Sequence, residues 1–197
     1  MNYIYKLINR TGNIYRFAKI PKNKGSGAGG ANTNANGLAF EAKTSLKDYM
    51  TEVKKENGFP VVKFPNCDKE FIYLPRTQLQ KYMKNKGEMS DAPKMHGAKE
   101  PDQCYFDPVC NKIIIVECKN QNGTGSAAEK IQGVTAKIDN YKEQYPSCDI
   151  KFVFCLSNWF KTNIPAELKY LEKNNITVFW GDEPDFHKDV IKYISEC

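Results

Sequence analysis

The chain has 197 residues, 41% of them hydrophobic and 26% charged, which fits one soluble domain with a core of its own. No run of about eighteen apolar residues occurs, so no membrane-spanning helix is expected. The opening Met1-Asn2-Tyr3-Ile4-Tyr5-Lys6 is too polar for a secretory signal, and the expected location is intracellular and cytoplasmic. A formal charge of +6 suits a polyanionic partner but does not name one.

Residues 1–20 mix aromatic, β-branched and basic side chains around Thr11-Gly12-Asn13, a hairpin pattern. Residues 21–37, PKNKGSGAGGANTNANG, have the composition of a flexible loop and lack the spacing of a phosphate-binding P-loop. Should that loop clasp double-stranded DNA, Lys22 and Lys24 would meet phosphates, and asparagines such as Asn32 and Asn34 would meet base edges. Ala42, Leu46, Tyr49, Met50 and Val53 recur at helical spacing. They predict a helix over 38–56, with Asn36 as N-cap, Glu41 in its first turn and Asn57-Gly58 as its stop.

Two short strands are expected at 61–64 and 71–74, the second broken by Pro75-Arg76-Thr77, with a short helix over 78–83. A polar stretch over 90–100, holding Lys94, His96 and Lys99, precedes Pro101. After a loop at 120–125, Ser126-Ala127-Ala128-Glu129 matches a capping box. It opens a helix whose buried stripe is Ile131, Val134, Ile138, Tyr141 and Tyr145, and Pro146 ends it. A buried strand over 150–156, a ligand-facing loop at 157–161, a helix at 165–173, a strand at 176–180 and a helix at 184–194 complete the pattern.

The most informative stretch runs from Asp102 to Lys119. Gln103–Phe106 reads as a strand, and Asp107-Pro108-Val109-Cys110-Asn111 has turn composition. Lys112–Lys119 is a β-branched run, the strongest strand signal in the chain. Folded as a hairpin, it returns Asp102 to the side of Glu117. Alternate residues of a strand share a face, so Glu117 and Lys119 point the same way. Two carboxylates supply hard oxygens suited to Mg²⁺, with Mn²⁺ able to substitute, and the lysine acts on the attacking water or on charge developing at phosphate. The plainer alternative is an edge strand ending in solvated charges.

Seven cysteines, an odd number without a CxxC pair, read as reduced thiols. A zinc site from Cys104, Cys110 and a histidine is the minor alternative.

Pro101-Asp102 followed by Glu117-Cys118-Lys119 resembles the PD-(D/E)XK nuclease superfamily, which includes many type II restriction endonucleases. The segment 119–132, KNQNGTGSAAEKIQ, also resembles the lysine-to-helix passage of some of its restriction enzymes, and the likeness spans about 37–156. The resemblance implies an α/β fold with an αβββαβ core, a mixed central sheet flanked by helices, in a single domain over 1–197. It implies metal held by Asp102 and Glu117, joined by Glu41 as the first-helix glutamate, with Lys119 assisting the water. Polar residues such as Lys130 and Gln132 would position phosphate or the lysine, unless they are an ordinary solvated face. The implied activity is Mg²⁺-dependent endonucleolytic cleavage of double-stranded DNA by a homodimer with a short recognition sequence. The alternatives are a DNA-repair or junction nuclease of the same fold and a DNA-binding module without catalysis.

Overall fold

The run Ile113-Ile114-Ile115-Val116 is wholly buried, and its alternation decides the layering. Ile113 and Ile115 face one core, and Ile114 and Val116 face another. A strand buried on both sides must be central, and each such side chain contributes about 1.5–3 kcal/mol of transfer free energy. The structure, a computed structural model, describes residues 31–93, 100–123 and 127–197. In these the chain builds an α/β fold, a seven-stranded mixed sheet flanked by helices.

The strands are β1 (Thr51–Glu56), β2 (Phe59–Lys63), β3 (Phe71–Tyr73), β4 (Gln103–Asp107), β5 (Lys112–Lys119), β6 (Asp149–Leu156) and β7 (Thr177–Trp180). They lie side by side in sequence order, β1 through β5 antiparallel and β5 through β7 parallel. One face is covered by α2 (Thr77–Lys86), α3 (Ala127–Gln132), α4 (Val134–Gln144), α5 (Trp159–Asn163) and α6 (Pro165–Lys173). The other is covered by α1 (Ala31–Lys43) and α7 (Phe186–Glu196), through Phe40, Phe186, Val190 and Ile194. Among the described residues no helix is long and apolar enough to cross a membrane. All seven cysteines are unpaired.

The expected β4–turn–β5 hairpin is present. Asp107 Oδ1 accepts the N–H groups of Val109 (2.9 Å) and Cys110 (3.2 Å), closing the turn with a side chain. The strand at 112–119 keeps its expected bounds, and the strand beside it is β6, parallel, as expected.

The helix expected over 38–56 is not there. Helix α1 ends at Lys43, a single 3-10 turn covers Lys47–Tyr49, and Thr51–Glu56 is the edge strand β1. Asn57 and Gly58 both have positive φ (50° and 85°), the conformation of a tight hairpin turn, so they reverse the chain into β2. Residues 31–37, expected within the loop, belong to α1, so Asn36 lies inside a helix and Glu41 falls in the last turn. Packing overrides composition here. A Cβ on Gly181 would stand 2.6 Å from Phe40 and from Thr44, so the glycine lets α1 approach the sheet closely. The single helix expected after Ser126 is two, broken at Gly133, and the stripe from Ile131 to Tyr145 still faces the core. Of the loop expected at 157–161, residues 159–161 belong instead to α5. The expected hairpin at 1–20, Lys22, Lys24, His96 and the Ser126 cap lie outside the described residues.

Candidate active site

The β4–β5 register pairs Gln103 with Val116, so the next residues outward, Asp102 and Glu117, meet at the end of the hairpin. Asp102 is fixed there by its own side chain, whose Oδ2 accepts the Cys118 N–H at 2.8 Å. The adjacent Gln103 points to the opposite face. It receives the Leu46 N–H on Oε1 (3.0 Å) and donates to the Thr44 carbonyl (3.2 Å), tying the segment after α1 to the same strand.

Lys119 joins the carboxylates. Its Nζ lies 2.7 Å from Glu117 Oε1, 3.8 Å from Asp102 Oδ2 and 2.9 Å from the Cys118 carbonyl oxygen. A second ammonium, on Lys137 of α4, stands 3.0 Å from Glu117 Oε2. That buried oxygen receives no well-angled hydrogen bond, so the contact is one of charge. The Glu117 side chain is only 6% exposed, and two cations are what make an ionised carboxylate tolerable at that depth.

The two acids are driven apart electrostatically. Burial, and next the Glu117 charge, hold the Asp102 carboxyl above its ordinary value, against Lys119, the Cys118 N–H and Lys137. Burial also pushes Glu117 up, but Lys119 and Lys137 outweigh it and the carboxyl lies below its ordinary value. For Lys119, burial favours the neutral amine, yet the charges of Glu117 and Asp102 prevail and raise its pKa, so it holds its proton firmly.

Glu41 stands at the rim. Its nearest charge partner is Arg76, whose Nη2 is 3.4 Å from Glu41 Oε2. Burial first, and then the charge of Asp102, raise the Glu41 pKa against the opposing charges of Arg76 and Lys119. Arg76 in turn is tied by its main chain to the start of the β4–β5 hairpin, since its N–H donates to the Pro101 carbonyl at 2.8 Å.

Of the residues singled out in the sequence, Asp102, Glu117 and Lys119 converge and Glu41 borders them. Gln132 does not join them, because its amide donates to Glu167 Oε1 (3.0 Å) across to α6. Lys130 is exposed on α3. Asn32 and Asn34 fall in the first turns of α1, and their side chains lie outside the described set. Lys137 and Arg76 were missed. Lys137 had a legible signal, since it sits three residues after Val134 and four before Tyr141, a lysine on the buried stripe.

The oxygens that suit a hard cation are the carboxylates of Asp102 and Glu117. Among the described residues, no three histidine, cysteine or carboxylate groups converge as a cation-binding set. A two-carboxylate donor set still fits Mg²⁺, which keeps waters and completes its shell with substrate phosphate. The Glu117 oxygen that lacks a hydrogen bond is a donor atom of the right chemistry. Comparison of the chain with protein-family models, with curated proteins and with solved structures finds no match.

Proposed function

We propose that the protein is a metal-dependent nuclease that hydrolyses phosphodiester bonds in double-stranded DNA, in the manner of a type II restriction endonuclease acting as a homodimer. The observation that carries the reading is the Lys119 ammonium lying between Asp102 and Glu117 at the end of one hairpin. Supporting it is the succession of α1, three antiparallel strands β3–β4–β5, the α3–α4 helix pair and parallel β6, which is compatible with a restriction-endonuclease-like αβββαβ core.

Asp102 and Glu117 would hold the Mg²⁺, with Glu41 as a further carboxylate bordering them. When bound, the cation lowers the pKa of a water and neutralises charge at phosphate. The remaining work falls to side chains. Glu117 is ionised at neutral pH and ready as a ligand without a proton to lose. Lys119, held protonated, is a poor base, so its role is to stabilise negative charge developing on the phosphoryl oxygens. Lys137 supplies a second positive charge from the helix side.

The test is digestion of a randomised duplex library with Mg²⁺ and sequencing of the ends produced. A single short motif at the cut ends, abolished in Asp102→Ala and Glu117→Ala, is the expected result. Preferential cutting of flapped or branched DNA would move the protein to the repair nucleases. Salt-sensitive binding without any cutting would make it a DNA-binding module.

A further inference from the structure

Arg76 occupies a backbone position that an arginine should avoid. Its φ is 55° and ψ −130°, and the Gln78 N–H donates to the Pro75 carbonyl at 3.1 Å across it. This is the second position of a type II′ turn, normally given to glycine. A non-glycine residue there carries strain that persists only when its surroundings impose it. The surroundings do so, because the Arg76 N–H is bonded to the Pro101 carbonyl.

Among the described residues the side chain is held only weakly, by Glu41. Its one ion pair, with Glu41, is long at 3.4 Å, and the arginine side chain is 66% exposed, so solvent screens it. Arg76 also lines an open cleft between α2 and α4, next to the candidate active site. Lys137 is on the opposing wall of the same cleft, and Pro101, neighbour of Asp102, is part of its floor. Glu100, which also lines it, already has an interaction within the protein. Arg76 and Lys137 thus line one cleft, and Lys137 also reaches the carboxylate pair, 3.0 Å from Glu117 Oε2.

We propose that Arg76 is a substrate-binding residue. With Lys137 it clamps the backbone phosphate next to the scissile one, and Glu41 holds the guanidinium in position until that phosphate arrives. A planar fork of donors suits a phosphate better than a point charge does, which explains why an arginine is kept where the backbone favours glycine. The inference rests on the nuclease reading and adds a second phosphate subsite to it.

The experiment uses the full chain and a duplex carrying the motif recovered from the library digest. Single phosphates around the cut are replaced in turn by neutral methylphosphonates, and single-turnover cleavage is measured for wild type, Arg76→Ala and Arg76→Gly. Wild type should lose roughly ten- to a hundredfold when the adjacent phosphate is neutralised, the scale of one charged hydrogen-bonded contact. Both variants should lose a similar factor on unmodified DNA and lose nothing more at that one position. Arg76→Gly should meanwhile raise the melting temperature by roughly 2–4 °C by relieving the turn.

If the variants' losses add to the methylphosphonate loss at every position, Arg76 touches no phosphate and the inference is overturned while the nuclease reading stands. A lower melting temperature for Arg76→Gly together with slower cleavage would mean a structural role, with the same consequence. If wild type cuts no duplex in Mg²⁺, the nuclease reading fails and takes the subsite with it.

Discussion

Lys137→Met isolates the electrostatic claim made for Glu117. The methionine keeps the aliphatic stem and removes the charge 3.0 Å from Oε2. At that distance and an effective dielectric of about 20, the Coulomb attraction is about 5.5 kcal/mol. Desolvating the ammonium, which is 20% exposed, takes back a large part, and Lys119 still pairs with Oε1. The expected net loss is about 2 kcal/mol at pH 7, within the range for leaving a buried polar group uncompensated. The sign with pH follows from the lowered pKa of Glu117. Its contribution is present above the ordinary value of 4.5 and is lost as pH falls through the lower folded value. The gap between wild type and variant should therefore be full at pH 7 and close as Glu117 takes its proton in acid. Urea unfolding at pH 7 and at pH 4 measures it, and Glu117→Gln in the same background should restore part of the stability. Equal stability of wild type and Lys137→Met at pH 7 would refute the pairing. A gap independent of pH would assign the loss to packing over Phe152, whose ring centroid lies 5.6 Å from the Lys137 Nζ.

Asp102→Ala and Glu117→Ala should each remove Mg²⁺ binding, read by calorimetry, and abolish cleavage, with DNA binding kept; unchanged cutting in either would sink the assignment. Lys119→Ala should keep the Mg²⁺ site but lose on the order of a hundredfold in single-turnover rate, because it removes one positioned charge; a normal rate would make the Glu-X-Lys match a coincidence. Mg²⁺ affinity, read by calorimetry, should begin to fall with acid at a pH above the ordinary aspartate value of 3.8, since in the metal-free protein Asp102 holds its proton longer than usual and the cation must displace it; an affinity still flat below that value would contradict this. Gly181→Ala should cost about 1–3 kcal/mol in urea unfolding, because its methyl would meet Phe40, Thr44 and the Cys155 sulfur at 2.6–2.9 Å.

The β4–β5 hairpin was the part of the fold most open to reading, for a physical reason. A β-branched run between turn residues leaves the chain few alternatives, and period-two alternation then fixes which side chains share a face. Helix α1 was closed to the same method. Residues 31–37 have loop composition, and what makes them helical includes the packing of Phe40 and Thr44 beside Gly181, about 140 residues away in the sequence. The reading of 38–56 failed differently. Leu46 is fully buried but Tyr49 and Val53 are 42% and 44% exposed, so their helical spacing was accidental. The stronger local signal was Asn57-Gly58, taken as a helix stop although that pair is also the commonest hairpin turn. Arg76 could not have been found from its neighbours, since its turn puts arginine where sequence rules look for glycine.

The six charged groups around the candidate site fall into two sets of partners. Arg76 meets Glu41, Lys119 meets Glu117 and Asp102, and Lys137 meets Glu117. Three cations balance three carboxylates, so the resting site needs no outside ion to be tolerable in a partly buried place. On the proposed reading, this balance is also what prepares it for substrate. If Asp102 and Glu117 held Mg²⁺, they would share their charge between the cation and Lys119 and Lys137. Both ammoniums, already partly buried, would then offer hydrogen bonds to phosphate oxygens without having to be desolvated anew. The cost of burying these charges was met on folding, with each cation held by a carboxylate of the site. Such preorganisation makes electrostatic groups effective in a reaction, because little reorganisation remains for the moment when charge develops.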